Sequence, residues 1–192
     1  MKTRTAHTKL FLITAIFSVV SALLSPVAAY PPGQDLTVTS DKVVVRLTGN
    51  VTFRVTNAQP GSEVAFAWAN MVRLRTAANA GTAGQTFTAN RVGVFTAQVT
   101  NGAERARTKV WVPRIDVQDA RTTRGSNNKF ELIYGPAGAI VRIEMGNRTF
   151  RGTVGSNGVV RIPFRTPSTR GTYTAEFHIG SVNLGFITIS VR

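Results

Sequence analysis

The chain repeats one pattern of residues at an interval of about 77 positions, and this repeat limits what it can fold into. Residues 61–66 correspond to residues 138–143, and residues 93–97 correspond to residues 171–175. The units of solenoid proteins are roughly 20–50 residues long, so the interval here is that of a small domain. We therefore expect two copies of one domain in tandem.

Both repeats consist of short segments in which apolar and polar residues alternate, separated by Gly, Asn and Pro. Alternation with period two is typical of strands with one buried face and one exposed face. In the second repeat, Phe130, Leu132 and Tyr134 are predicted to point inward, and Lys129 and Glu131 outward. About seven such strands in roughly 80 residues favour an antiparallel β-sandwich. The predicted strands are 42–47, 51–56, 63–70, 85–89, 93–100 and 106–112 in the first repeat, and 115–120, 129–134, 140–145, 148–154, 159–164, 172–179 and 186–191 in the second.

Three segments of the second repeat resemble bacterial immunoglobulin-like repeat domains of the kind found in secreted actinobacterial proteins. They are the turns and strands at residues 135–141, 157–163 and 167–174. The resemblance implies an all-β fold of two tandem immunoglobulin-like antiparallel β-sandwiches, at residues 30–113 and 114–192. It also implies the roles common in that family, namely spacer, adhesion module or ligand-binding module.

Residues 1–29 have the three parts of a secretory signal peptide. Lys2, Arg4 and Lys9 are basic, residues 10–24 are an apolar run, and residues 25–29 end in small side chains. The run is shorter than the roughly 20 apolar residues that span a bilayer. We expect cleavage that leaves a mature chain starting near Tyr30, and an uncleaved N-terminal anchor is the alternative. The protein is then secreted, extracellular or envelope-associated, and periplasmic if the cell has two membranes.

The charge of the exported part predicts its class of partner. Three of the 23 basic residues lie in residues 1–29 and all nine acidic residues follow them, so residues 30–192 carry a net charge of +11. Such a charge favours contact with a polyanion, and the predicted partner is an anionic envelope polymer or a surface protein. A charge that serves only the solubility of a folded surface is the alternative. Nucleic acid or acidic polysaccharide is a further alternative, and a structural spacer or subunit of a surface assembly needs no ligand at all. The oligomeric state is left open.

Nothing in the sequence points to catalysis. The exported part has a single histidine, His178, and the chain has no cysteine. No Gly-x-Ser-x-Gly turn and no cluster of metal-ligating residues with suitable spacing is present. We therefore expect a protein that is not an enzyme and uses no cofactor or metal.

One strand of the first repeat stands out as a candidate site. Arg105, Arg107, Lys109 and Trp111 share a parity on the last predicted strand of that repeat. Cations beside an exposed aromatic ring suit an anionic, ring-bearing ligand. Two alternatives remain open. The basic residues could protect a sheet edge from aggregation, and Trp111 could pack against the second repeat.

The second repeat contains a further set of outward-pointing basic residues, Arg142, Arg161 and Arg165, which could form a second basic face. Two aromatic residues are predicted to be structural. Trp68 is in phase with Val64 and is expected in the core, and the hydroxyl of Tyr173 is expected to cap a loop as in a tyrosine corner.

Overall fold

The structure, a computed structural model, describes residues 34–192. These residues form strands and no helix, and therefore no helix among them is long and apolar enough to cross a membrane. The predicted signal peptide at residues 1–29 lies outside the described residues. The first repeat contains β1 (Thr37–Ser40), β2 (Asn50–Thr56), β3 (Glu63–Trp68), β4 (Met71–Thr76), β5 (Ala83–Thr88), β6 (Gly93–Asn101) and β7 (Glu104–Val112). The second contains β8 (Arg114–Val117), β9 (Arg121–Thr122), β10 (Asn127–Ile133), β11 (Ile140–Met145), β12 (Arg148–Thr153), β13 (Val159–Arg165), β14 (Gly171–Ile179) and β15 (Val182–Val191).

The first repeat folds into two facing sheets with the strand orders β1-β2-β5 and β4-β3-β6-β7. Trp68, which is 2% exposed, lies in the core between them. Its ring makes edge contacts with Phe53 and Phe87, which belong to the opposite sheet, at centroid distances of 5.6 and 6.0 Å. Phe95 contacts it from the same sheet at 5.9 Å. The prediction that Trp68 is a core residue is confirmed, and its ring holds the two sheets together.

The second repeat has the same plan, with the strand orders β8-β10-β13 and β12-β11-β14-β15-β9. Phe130 lies at the centre of its core and is fully buried. Its ring stacks on Phe164 at a centroid distance of 4.0 Å and makes an edge contact with Phe177 of the other sheet at 5.5 Å. Each repeat therefore has its own aromatic core, formed by the inward side chains of two sheets.

Both repeats also share an uncommon parallel pairing. In the second, β9 pairs in parallel with the end of β15. In the first, Val44 forms an isolated parallel bridge with Trp111 near the end of β7. All other strand pairs are antiparallel. The two repeats thus share one strand order, with β9 added at the edge of the second. This confirms the predicted fold class, all-β with two tandem immunoglobulin-like antiparallel sandwiches.

The two repeats meet at the segment around Val44. Val45 is buried in the first core, whereas its neighbour Val44 is buried in the second, because successive side chains of extended backbone point to opposite sides. Only Pro113 separates β7 from β8. Residues Asp35–Arg192 form one compact unit. The division into domains at residues 30–113 and 114–192 stays a prediction.

Four local predictions were wrong. The strand predicted at residues 115–120 ends at Val117, and the short strand β9 follows at Arg121–Thr122. Residues 42–47 do not form a strand, since β1 ends at Ser40 and only the bridge at Val44 follows. The strand predicted at residues 63–70 ends at Trp68, because Ala69 and Asn70 have φ values of 48° and 68° and form the turn into β4, which was not predicted. Tyr134 is 42% exposed instead of buried, because its own φ of 64° turns it away from the alternation of β10.

Candidate functional site

Three cations form a row along the exposed side of β7. Arg105, Arg107 and Lys109 alternate with side chains that point toward the first core, and all three are exposed. They lie opposite Thr100, Gln98 and Thr96 of β6. We call Arg105, Arg107 and Lys109 the cationic row. The sequence predicted this arrangement from parity alone, and the structure places the three side chains on one face.

No carboxylate of the described part of the chain forms an ion pair with any member of the cationic row. Within residues 34–192 the row forms one side-chain hydrogen bond, in which Arg107 Nε donates to the neutral acceptor Gln98 Oε1 at 3.2 Å. The positive charge of the row is therefore directed to solvent. Solvent-exposed charges interact over about 8 Å at physiological ionic strength. An external anion that approaches the middle of β7 is therefore attracted by all three cations.

Trp111 has the same parity as the cationic row but a different environment. Its side chain is half-buried and packs against the second core. Its backbone N–H donates to the carbonyl of Val43 at 2.9 Å, and its carbonyl accepts from the N–H of Val45 at 3.0 Å. Of the two alternatives for Trp111, stacking on a ligand and packing against the second repeat, the second matches its position. Trp111 therefore belongs to the junction between the repeats, whereas the three cations that precede it on β7 are exposed to solvent.

The predicted basic residues of the second repeat are not brought together. Arg142 lies on the outward side of β11, whereas Arg161 and Arg165 lie on the outward side of β13 in the opposite sheet. Residues on the outer faces of two packed sheets point in opposite directions, so the three cannot form one basic face.

Two of these arginines also have carboxylate partners. Arg142 Nε lies 3.3 Å from Glu144 Oε1. Arg161 Nε lies 2.6 Å from Glu131 Oε1. These pairs lower the charge that Arg142 and Arg161 offer to an external anion. The cationic row thus differs from the predicted basic residues of the second repeat in two respects. Its members lie on one face, and none of them is ion-paired with a carboxylate of the described residues.

Glu144, Glu176 and His178 were not predicted as a group, yet their donor atoms lie within 4.8 Å of one another. Glu176 lies directly opposite Glu144 across two paired strands, and His178 Nε2 lies 3.7 Å from Glu176 Oε2. Two carboxylates and one imidazole resemble a zinc ligand set. The guanidinium of Arg142 already compensates Glu144, however, and a second cation at the same carboxylate would be repelled by it. Arg142 pairs with Glu144 along β11 and His178 lies beside Glu176 along β14, so contacts between side chains of the same strand account for the group.

The loop that precedes β14 is closed by Tyr173. Its hydroxyl donates to the carbonyl oxygen of Thr169 at 3.1 Å and also contacts the hydroxyl of Thr169. The predicted tyrosine corner is confirmed. The role of this residue is structural, because the bond connects a loop to the strand that follows it.

Comparison with known proteins gives fold-level likenesses only. No protein-family model and no curated protein matches this sequence. Among solved structures, the D0-D1 domain of intimin aligns over 82% of this chain and 98% of its own, with 14% identity and a TM-score of 0.36. Invasin, a bacterial integrin-binding protein, aligns over 82% of this chain and 39% of its own, with 16% identity and a TM-score of 0.38. A fragment of intimin in complex with the translocated intimin receptor aligns over 80% and 62%, with 15% identity and a TM-score of 0.42. The fold assignment therefore stands on the strand order and the two cores.

Proposed function

We propose that the protein is a non-catalytic binding module of the cell exterior, and that the cationic row contacts an anionic polymer of the cell envelope. The observation that supports this most directly is the presence of three exposed cations on one strand face without a carboxylate partner among the described residues. An unpaired cation keeps its attraction for an external anion, whereas an ion-paired one must first exchange partners.

The shape of the cationic row favours a linear ligand. Alternate residues of a strand lie about 6.6 Å apart, so the three charged groups extend over about 13 Å. A small anion is bound where cations converge on one point, and these three do not converge. A polymer with regularly spaced phosphates or carboxylates can contact all three groups at once, and its weak individual contacts then add together.

The location of the protein is part of the proposal. The predicted signal peptide at residues 1–29 would export the chain, and the net charge of +11 on residues 30–192 would hold it near negatively charged envelope polymers. The absence of cysteine means that both sandwiches rely on packing alone in that environment.

A spacer role is the second candidate, and the junction between the repeats favours it. Val44 lies in the second core although it belongs to the first repeat, and Trp111 packs beside it. A junction held by buried side chains limits the motion of one sandwich relative to the other. Such a protein could hold other components of a surface assembly at a fixed distance without binding a polymer itself.

Co-sedimentation of the exported part with isolated cell envelopes distinguishes the two candidates. For a polymer-binding module, we expect sedimentation at about 0.05 M salt and its loss as the salt rises to about 0.5 M, because the contacts are ionic and exposed. For a spacer, we expect none at any salt concentration. Soluble DNA serves as the competitor, and displacement by DNA at low concentration would instead indicate a nucleic-acid ligand.

A further inference from the structure

The outer strand of the first repeat, β4, has an unpaired backbone edge. Among the described residues, Met71–Thr76 pairs with β3 and with no other strand. A free strand edge presents a row of backbone N–H and C=O groups that can pair with another extended chain. Whether such an edge is protected or used for binding depends on the side chains along it.

The inward side chains of β4 differ from those of its counterpart β12, the outer strand of the second repeat. Arg73 lies opposite Phe66 of the first core, at the position where Phe150 lies opposite Ile143 in the second repeat. Phe150 packs against its core, whereas Arg73 is exposed. At the next inward position, an exposed Arg75 replaces a glycine of β12. In β4 cations thus occupy positions that face the core side of the sandwich.

The outward side chains of β4 and β12 differ in the opposite way, since those of β4 are apolar and those of β12 are polar. Val72 and Leu74 are 65% and 53% exposed, although both are large and apolar. Their counterparts in β12 are Thr149 and Arg151, which are polar side chains suited to water. Met71 at the start of β4 packs against the first core. In the rest of the strand the apolar side chains are in solvent and the cations are turned inward, which is the reverse of what the sandwich alone requires. The reversal points to a partner that covers β4.

The groove beside β4 is basic as well. It has a volume of about 710 Å³ and is lined by Arg75 from β4, by Arg54 from β2 and by several threonines, with no acidic residue in its lining. Neither arginine forms an ion pair with a carboxylate of the described residues. A side chain that enters this groove from an added strand is therefore favoured if it is acidic.

We propose that β4 accepts an extended segment of a partner protein in which acidic and apolar residues alternate. Main-chain hydrogen bonds would extend the sheet, and the pleat would place the acidic side chains beside Arg73 and Arg75. The apolar side chains would then cover Val72 and Leu74 on the other face. A second copy of β4 does not fit, because antiparallel pairing would bring two rows of arginines together. β4 and β7 are the two opposite edges of this sheet, and β3 and β6 separate β4 from the cationic row. The proposal is therefore independent of envelope binding.

A fluorescently labelled peptide of alternating glutamate and valine, about as long as β4, tests the proposal by anisotropy. We expect saturable binding to wild type, and at least about tenfold weaker binding to Arg73→Glu/Arg75→Glu, because two attractive pairs become repulsive. The matched peptide of alternating lysine and valine should show the opposite preference. Arg124→Glu/Arg170→Glu changes two exposed arginines of the second repeat by the same charge, and we expect it to bind the glutamate peptide within about twofold of wild type.

Hydrogen exchange of the backbone amides then separates strand addition from simple charge attraction. Strand addition should protect amides of β4 when the glutamate peptide is bound and leave those of β12 unchanged. The absence of saturable binding to wild type at about 1 mM peptide would overturn the proposal. So would binding without protection in β4, since that result means that the arginines attract the peptide while the strand edge stays free.

Discussion

Replacing Trp68 with alanine is expected to lower the free energy of unfolding by about 4 kcal/mol. The ring is 2% exposed and contacts aromatic residues of both sheets, so its removal leaves a cavity that the surrounding strands cannot close. Domains of this kind are stable by only about 5–15 kcal/mol, and a loss of this size is a large part of that total. Urea denaturation measures it, with the fluorescence of Trp111 as the remaining tryptophan signal.

Trp68→Phe is the control for this change. Trp68 Nε1 is buried and has no hydrogen-bond partner among residues 34–192, so phenylalanine keeps most of the ring contacts and removes an unsatisfied donor. We expect a cost of about 1 kcal/mol or less, because the lost volume and the removed polar group act in opposite directions. Equal costs for Trp68→Phe and Trp68→Ala would contradict the view that this ring fills the space between the two sheets.

Replacing Trp111 with alanine is expected to lower the free energy of unfolding by about 2 kcal/mol and to leave envelope binding unchanged. The side chain is half-buried and packs against the second core, so the cost is smaller than for a fully buried tryptophan. Urea denaturation measures the first quantity and co-sedimentation the second.

The matched control is Val94→Ala, because Val94 lies directly opposite Trp111 on the neighbouring strand but is 47% exposed. We expect this variant to unfold within about 0.5 kcal/mol of wild type. If Trp111→Ala keeps the stability of wild type and instead weakens binding by about 1–3 kcal/mol, the indole stacks on a ligand and does not join the repeats.

Much of the fold follows from the period-two pattern, and the failures have physical reasons. The strands predicted at residues 140–145 and 172–179 match β11 and β14 to within one residue, because apolar and polar residues alternate along both. β4 was not predicted because Arg73 and Arg75 occupy inward positions, at which the alternating pattern of a strand has apolar residues. The pairing of Val44 with Trp111 also left no local signal, since Val43, Val44 and Val45 are all apolar although only Val44 and Val45 are buried, each in a different core.

The site was partly predictable for similar reasons. Parity along β7 is enough to place Arg105, Arg107 and Lys109 on one face. It does not show which charges are compensated, because the ion pair between Arg161 and Glu131 depends on the register of two strands that are 30 residues apart in sequence. Parity also does not show to which of the two sheets a strand belongs. The basic residues of the second repeat do not form a single surface because they lie on the outer faces of different sheets.

The measurement that tests the account most directly compares two triple variants in envelope co-sedimentation at about 0.05 M salt. One variant is Arg105→Glu/Arg107→Glu/Lys109→Glu. The other, Arg124→Glu/Arg170→Glu/Arg192→Glu, makes the same change in net charge at exposed positions of the second repeat. We predict that the first variant binds at least about tenfold more weakly than wild type and that the second stays within about threefold. An equal loss in both variants would contradict the account, because net charge and not the cationic row would then determine binding.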